Sequence, residues 1–133
     1  MKKIRTKWKH IADSKRTRGS DASKLDKIQK YLNDKRYFTL TGETLAGRRP
    51  DLVHKYQDEK IVIELDGYTH GFGDEATESE QTVNRNNDYE RNNIPFIPIN
   101  ESWCKLYGYS YEQVAHIGLY IIREQLRVKE RFK

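Results

Sequence analysis

The chain has 133 residues, with 25 Lys/Arg against 20 Asp/Glu, a net charge of +5 and a hydrophobic content of 35%. That length and composition fit one domain with one thin core, and exclude a second full domain. No apolar run approaches the ~20 residues of a membrane span, and the single cysteine, Cys104, excludes an internal disulfide and a cysteine-based zinc site and fits a reducing compartment.

The charge is unevenly spread. Residues 1–49 carry fifteen Lys/Arg against five Asp/Glu, whereas residues 50–133 carry ten against fifteen. A cationic front half with an anionic back half suits a protein that grips phosphates with one part and seeks a cation with the other. A basic solvated tail on an unrelated enzyme is the plainer alternative. Residues 1–20 read as a basic arm in which Lys2, Lys3, Arg5, Lys7, Lys9, Arg16 and Arg18 surround Trp8. Such an arm orders on nucleic acid, with Trp8 stacking on a base or covering the core edge; Arg48 and Arg49 extend the same basic surface. The amino terminus lacks the apolar core of a signal peptide, and the expected location is the cytoplasm.

Ser20 or Asp21 caps a helix expected from about 22 to 35, whose apolar stripe is Leu25, Ile28 and Leu32. Tyr37–Thr41 is a β-prone run closed by Gly42. Asp51–Tyr56 and Lys60–Asp66 form the next two strands. In the second of these, Ile61, Ile63 and Leu65 share one face, and Val62, Glu64 and Asp66 share the other. An even-length hairpin loop brings Asp51 onto the face of Glu64 and Asp66. Centred between 57 and 58 it sets Asp51 opposite Glu64; centred between 58 and 59 it sets Asp51 opposite Asp66; an odd loop turns Asp51 away. Like charges so placed raise one another's pKa unless a cation neutralises them. Hard divalent ions such as Mg²⁺ take such oxygens. His70, just beyond Gly67, is in reach of the same site.

Residues 67–80 are rich in glycine and acids and read as a loop or lid. A polar helix is expected from about 78 to 92, where Glu78, Gln81, Arg85, Asp88 and Arg91 recur at helical spacing. Pro95–Ile99 reads as a short strand whose two prolines demand a sheet edge or a chain end. The last helix is expected from about 110 to 129, with Tyr111, Val114, Ile117, Ile121, Ile122 and Leu126 facing the core. Trp103 and Tyr107–Tyr109 read as packing, and His10, His54 and His116 as structural.

The order α-β-β-β-α-β-α carries Pro50-Asp51 on one strand and ends the next with Glu64-Leu65-Asp66-Gly67-Tyr68-Thr69-His70. It resembles the PD-(D/E)XK nuclease superfamily, and within it the very-short-patch-repair-like branch that includes small phage and bacterial nucleases and EDxHD-type homing endonucleases. The likeness spans residues 22–100 and takes in Arg85 on the polar helix and the apolar strand at Ile94–Ile99. It implies an α/β, restriction-endonuclease-like domain over residues 21–133, with a central four-stranded mixed sheet flanked by helices. It also implies metal-dependent hydrolysis of DNA phosphodiesters, by nicking or double-strand cleavage.

The resemblance implies roles residue by residue. Asp51 and Glu64 would hold Mg²⁺, or Mn²⁺ in its place, to polarise the scissile phosphate and lower the pKa of a bound water, with Asp66 completing the metal shell or orienting His70. His70 would act as general base or as proton donor. Arg85 would stabilise charge on the phosphate. Three positions depart from the pattern. The superfamily's lysine two residues after the second acid is Asp66 here; His70, Arg85 and Lys60 are the candidates for the missing charge, His70 foremost. Arg-Asp on the polar helix becomes Arg85-Asn86, with Asp88 two residues on. The first helix offers only Asp21 and Asp26 where relatives place a glutamate. Two further readings use the same residues: a non-cleaving nucleic-acid-binding module on this fold, and a structure-selective junction resolvase. The expected partner is DNA; pairing of two copies stays open, and neither a membrane nor a small-molecule substrate is implied.

Overall fold

The structure, a computed structural model, describes residues 22–67 and 80–131. The basic arm, Asp21 and His70 lie outside the described residues. The elements are α1 (Ala22–Asp34), β1 (Thr39–Leu40), β2 (Leu52–Tyr56), β3 (Glu59–Asp66), α2 (Glu80–Arg91), β4 (Phe96–Asn100), α3 (Glu101–Tyr107) and α4 (Tyr111–Arg131). One four-stranded sheet runs β1-β2-β3-β4. The first three strands are antiparallel and β4 lies parallel to β3. Parallel neighbours cannot be joined by a hairpin, so α2 falls in the crossover between them. The α/β class and the mixed sheet flanked by helices agree with the expectation from sequence.

Helices cover the sheet on both faces. Ile61, Ile63 and Leu65 of β3 pack with Leu52, Ile97 and Ile99 against Ile28 and Leu32 of α1 and Ala115 and Leu119 of α4. On the other face Val53 and Val62 meet Tyr89 of α2, with Leu45, Ile94 and Phe96 around them. Every residue from Ile61 to Asp66 is therefore buried, as a strand sandwiched between layers requires. β4 is the sheet edge that its prolines demanded, and Pro98 is exposed there.

Three expectations need correction. The expected order omitted α3, a two-turn helix whose start is capped by Asn100, its Oδ1 accepting from Trp103 N–H at 3.0 Å. Gly108 closes it in the left-handed region at φ 76°. Trp103 and Tyr107 lie against each other with their planes tilted by 55° but are 58% and 57% exposed, and Tyr109 is 58% exposed, so these rings do not fill the core. On α4, Tyr111, Val114, Ile122 and Leu126 pack on the core as expected, with Ala115 and Leu119 fully buried between them, but Ile117 and Ile121 point outward. The inner stripe is rotated because Gly118 lets the helix press onto β4.

A Cβ at Gly118 would stand 2.9 Å from Ile97 Cδ1 and 3.0 Å from its Cγ2. Alanine gains about 1 kcal/mol of helix propensity over glycine, whereas overpacking a filled contact costs about 1–3 kcal/mol. The clash wins. Gly118→Ala is expected to lower stability by about 1 kcal/mol in urea unfolding, and to become neutral or stabilising in an Ile97→Ala background, where the opposing atoms are gone.

Candidate active site

The site forms because the β2–β3 turn has two residues. Tyr56 pairs with Glu59, so the loop is Gln57-Asp58, centred between 57 and 58. Gln57 takes φ 55°, the positive value that tight hairpin turns need at their first loop position. That register pairs Leu52 with Ile63, which sets Asp51, one residue before the strand, against Glu64. The side-chain alternation then places Asp51, Glu64 and Asp66 on the face covered by α2.

Asp51 and Glu64 interlock. The backbone N–H of Asp51 donates to Glu64 Oε1 at 3.2 Å, and the N–H of Leu65 donates to Asp51 Oδ2 at 2.8 Å. The hydroxyl of Tyr89 donates to Glu64 Oε2 at 2.6 Å. Glu64 is 5% exposed, whereas Asp51 is half-buried and opens the pair to solvent. Burial, and then the charge of Asp51, pushes the Glu64 carboxyl up from 4.5 to about 7. Burial likewise raises the Asp51 carboxyl, against the bond from Leu65. Near neutral pH the pair therefore retains proton density in the absence of a cation.

Asp66 is tied up beside this pair. Arg85 of α2 holds it with two parallel bonds, Nη1 to Oδ1 at 2.7 Å and Nη2 to Oδ2 at 3.0 Å. Arg85 is itself fixed by Asn86 Oδ1 at 3.1 and 2.8 Å, and its Nε stands 3.9 Å from Glu64 Oε2. The expected convergence of three carboxylates on one ion is thus not the arrangement found. Among the described residues no group of three His, Cys, Asp or Glu side chains is placed to hold a metal. A bidentate guanidinium is the better partner for a buried carboxylate, and Asp66 takes it.

The remaining basic candidates divide. Arg49 is exposed, one residue before Pro50-Asp51. Arg48 is spent on Asp88, at 2.9 Å from Nε and 2.7 Å from Nη2. Lys60 stands at the opposite end of β3 from the acids and pairs with Glu43 at 3.3 Å, so it does not supply the missing charge beside Asp66. His54 is buried with Nδ1 2.8 Å from the carbonyl oxygen of Phe38, and burial lowers its pKa. His116 packs against the rings of Tyr31 and Tyr37. Both are structural, as expected.

Two carboxylates side by side on a half-open face fit a hard divalent cation. Their charges repel, their pKa values rise, and one doubly charged ion would relieve both effects. No protein-family model, no curated protein and no solved structure matches the chain; function is read from this geometry and from the motif resemblance.

Tyr89 escaped the sequence reading. It is the one aromatic on an otherwise polar helix, at i+4 from Arg85 and hence on the same face, and that spacing was the available signal. Its hydroxyl donates to the ionised form of Glu64, which favours ionisation. Tyr89→Phe is therefore expected to move the Glu64 titration to higher pH and cost about 1 kcal/mol. Carboxylate-resolved NMR titration checks the first effect and urea unfolding the second.

Proposed function

We propose that the chain is a metal-dependent endodeoxyribonuclease that hydrolyses DNA phosphodiesters, with Asp51 and Glu64 as the protein ligands of one Mg²⁺ or Mn²⁺. The observation that supports it most is the interlocked Asp51–Glu64 pair, two desolvated acids with raised pKa values on one sheet face. Bound there, a divalent cation would supply Lewis-acid stabilisation of charge on the phosphate. Leu65 N–H and the Tyr89 hydroxyl orient the two carboxylates and hold their outer oxygens. Arg85 is a positioning residue in this reading: it neutralises Asp66 and its charge lowers the pKa of both Asp51 and Glu64. Arg49 and the basic arm bear on the DNA backbone, contacts that position the duplex and carry no sequence information. His70, four residues past Asp66, is the proposed proton carrier: it would take the proton of the attacking water as that oxygen bonds to phosphorus and the P–O ester bond breaks, the leaving oxygen taking its proton from solvent.

A non-cleaving nucleic-acid-binding module on the same fold is the second reading, favoured by the capture of Asp66, which leaves two acids rather than three. Supercoiled plasmid with Mg²⁺ or EDTA separates the two. Metal-dependent nicking that is lost in Asp51→Asn supports the nuclease; duplex binding with no nicking in Mg²⁺ or Mn²⁺ supports the module. No helix among the described residues is long and apolar enough to cross a membrane. The lone Cys104, buried with its thiol pKa raised by burial, supports a cytoplasmic location.

A further inference from the structure

We propose that Lys24, held in place by Glu101, contacts the nucleic-acid backbone phosphates at the carboxy end of β3, an inference that rests on the nuclease reading above. Glu101 opens α3 directly after Asn100, and Asn100 pairs with Asp66. Its carboxylate is 1% exposed and lies against Gly67, the residue after Asp66; a Cβ there would stand 3.9 Å from Glu101 Oε2. Lys24 Nζ reaches both carboxylate oxygens, at 3.1 and 3.3 Å, from the first turn of α1. The ion pair and the Asp51–Glu64 pair thus flank the same strand end, one on each face of the sheet.

Three features set this pair apart from an incidental ion pair. The first turn of α1 has no acid and carries Lys24 instead, at the helix end where the dipole opposes a cation. A local preference is overridden to bring an ammonium to this place. Next, an ammonium has three protons to donate. Two point to the buried Glu101 oxygens and fix the nitrogen, which also stands 6.0 Å from the Tyr111 ring, while 31% of the Lys24 side chain stays exposed to an oxygen arriving from solvent. Finally, α1 is the element into which the basic segment leads, with Arg16 and Arg18 six to eight residues before Lys24.

The test measures duplex binding by the full chain in EDTA over a series of salt concentrations, for wild type, Lys24→Gln, Lys24→Arg and the double variant Lys24→Gln/Glu101→Gln. The double variant removes the buried charge together with its partner, so it folds even where Lys24→Gln alone leaves Glu101 unsatisfied. One lost phosphate contact lowers the slope of log K against log salt by about 0.9. That drop in the double variant, its absence in Lys24→Arg, and a raised KM with unchanged kcat in plasmid nicking are the expected results. A wild type that nicks DNA while the double variant keeps the full salt slope and KM overturns this inference alone. A wild type that neither binds nor nicks overturns the nuclease reading with it.

Discussion

Asp51→Asn and Glu64→Gln each raise the unfolding temperature of the metal-free protein at pH 8, and each removes metal-dependent nicking. Opposite signs for stability and activity follow from the raised acids. The Glu64 carboxyl titrates at about 7 in the folded state against 4.5 ordinarily, so the unfolded chain ionises first. Between those two values the folded state holds the extra proton, and stability falls as pH rises. Above about 7 the full cost of ionising the Glu64 carboxyl stands, about 3 kcal/mol, from its burial first and the neighbouring Asp51 charge second. Removing either charge recovers much of it, because the amide keeps the shape and the acceptor oxygen that Leu65 N–H or Asp51 N–H needs. For a domain of this size that is a rise of roughly 4–10 °C at pH 8, shrinking towards zero at pH 5. Mg²⁺ narrows the gap by raising the wild-type value alone, through binding to the folded state. The expected loss of nicking is about 10³-fold, the rate equivalent of several kcal/mol of charge stabilisation. Differential scanning fluorimetry across pH, with and without Mg²⁺, reads the stability side; variants less stable than wild type at pH 8 would contradict it.

Arg85→Met lowers stability by about 3–5 kcal/mol, the largest single effect expected in the protein. Asp66 is 3% exposed and its carboxylate gives both oxygens to the Arg85 fork. Without the guanidinium, a buried charge remains beside Asp51 and Glu64 with its main counter-charge gone. Arg85→Lys recovers only part of the loss, because one ammonium cannot make two parallel bonds or hold Asn86 at the same time. The double variant Arg85→Met/Asp66→Asn recovers most of it, giving a coupling of about 2 kcal/mol or more in a urea double-mutant cycle. If Arg85→Met costs as much in an Asp66→Asn background as in wild type, the guanidinium is not acting through Asp66.

The acid face was legible in the sequence because strand alternation is a rigid period. Once Ile61, Ile63 and Leu65 are assigned to the core, Val62, Glu64 and Asp66 must share the other face, and only loop parity was left to place Asp51. The structure chose the even loop centred between 57 and 58, with Gln57 accepting a positive φ that its side chain does not advertise. Asp66 was misjudged because its partner comes from a helix distant in sequence, and the geometry of a two-bond fork is invisible in residue spacing. The missed α3 had its signals present, an Asn cap and a Gly close with seven residues between them; a seven-residue helix is too short for periodicity to show. The outward turn of Ile117 and Ile121 came from Gly118, whose lack of a side chain sets how α4 meets Ile97. Apolar spacing alone found Tyr111, Val114, Ile122 and Leu126 on the core side but set Ile117 and Ile121 there too.

Calorimetric titration of Mn²⁺ into the metal-free chain at pH 6.5, in two buffers of different ionisation enthalpy, reads both the ion and the proton it displaces. With Glu64 titrating at about 7, one ion should bind per chain and release a sizeable fraction of a proton, and Asp51→Asn and Glu64→Gln should each abolish both signals. Binding that persists in those variants, or a wild type that takes up no ion at millimolar Mn²⁺, would show that the two carboxylates do not form a metal centre.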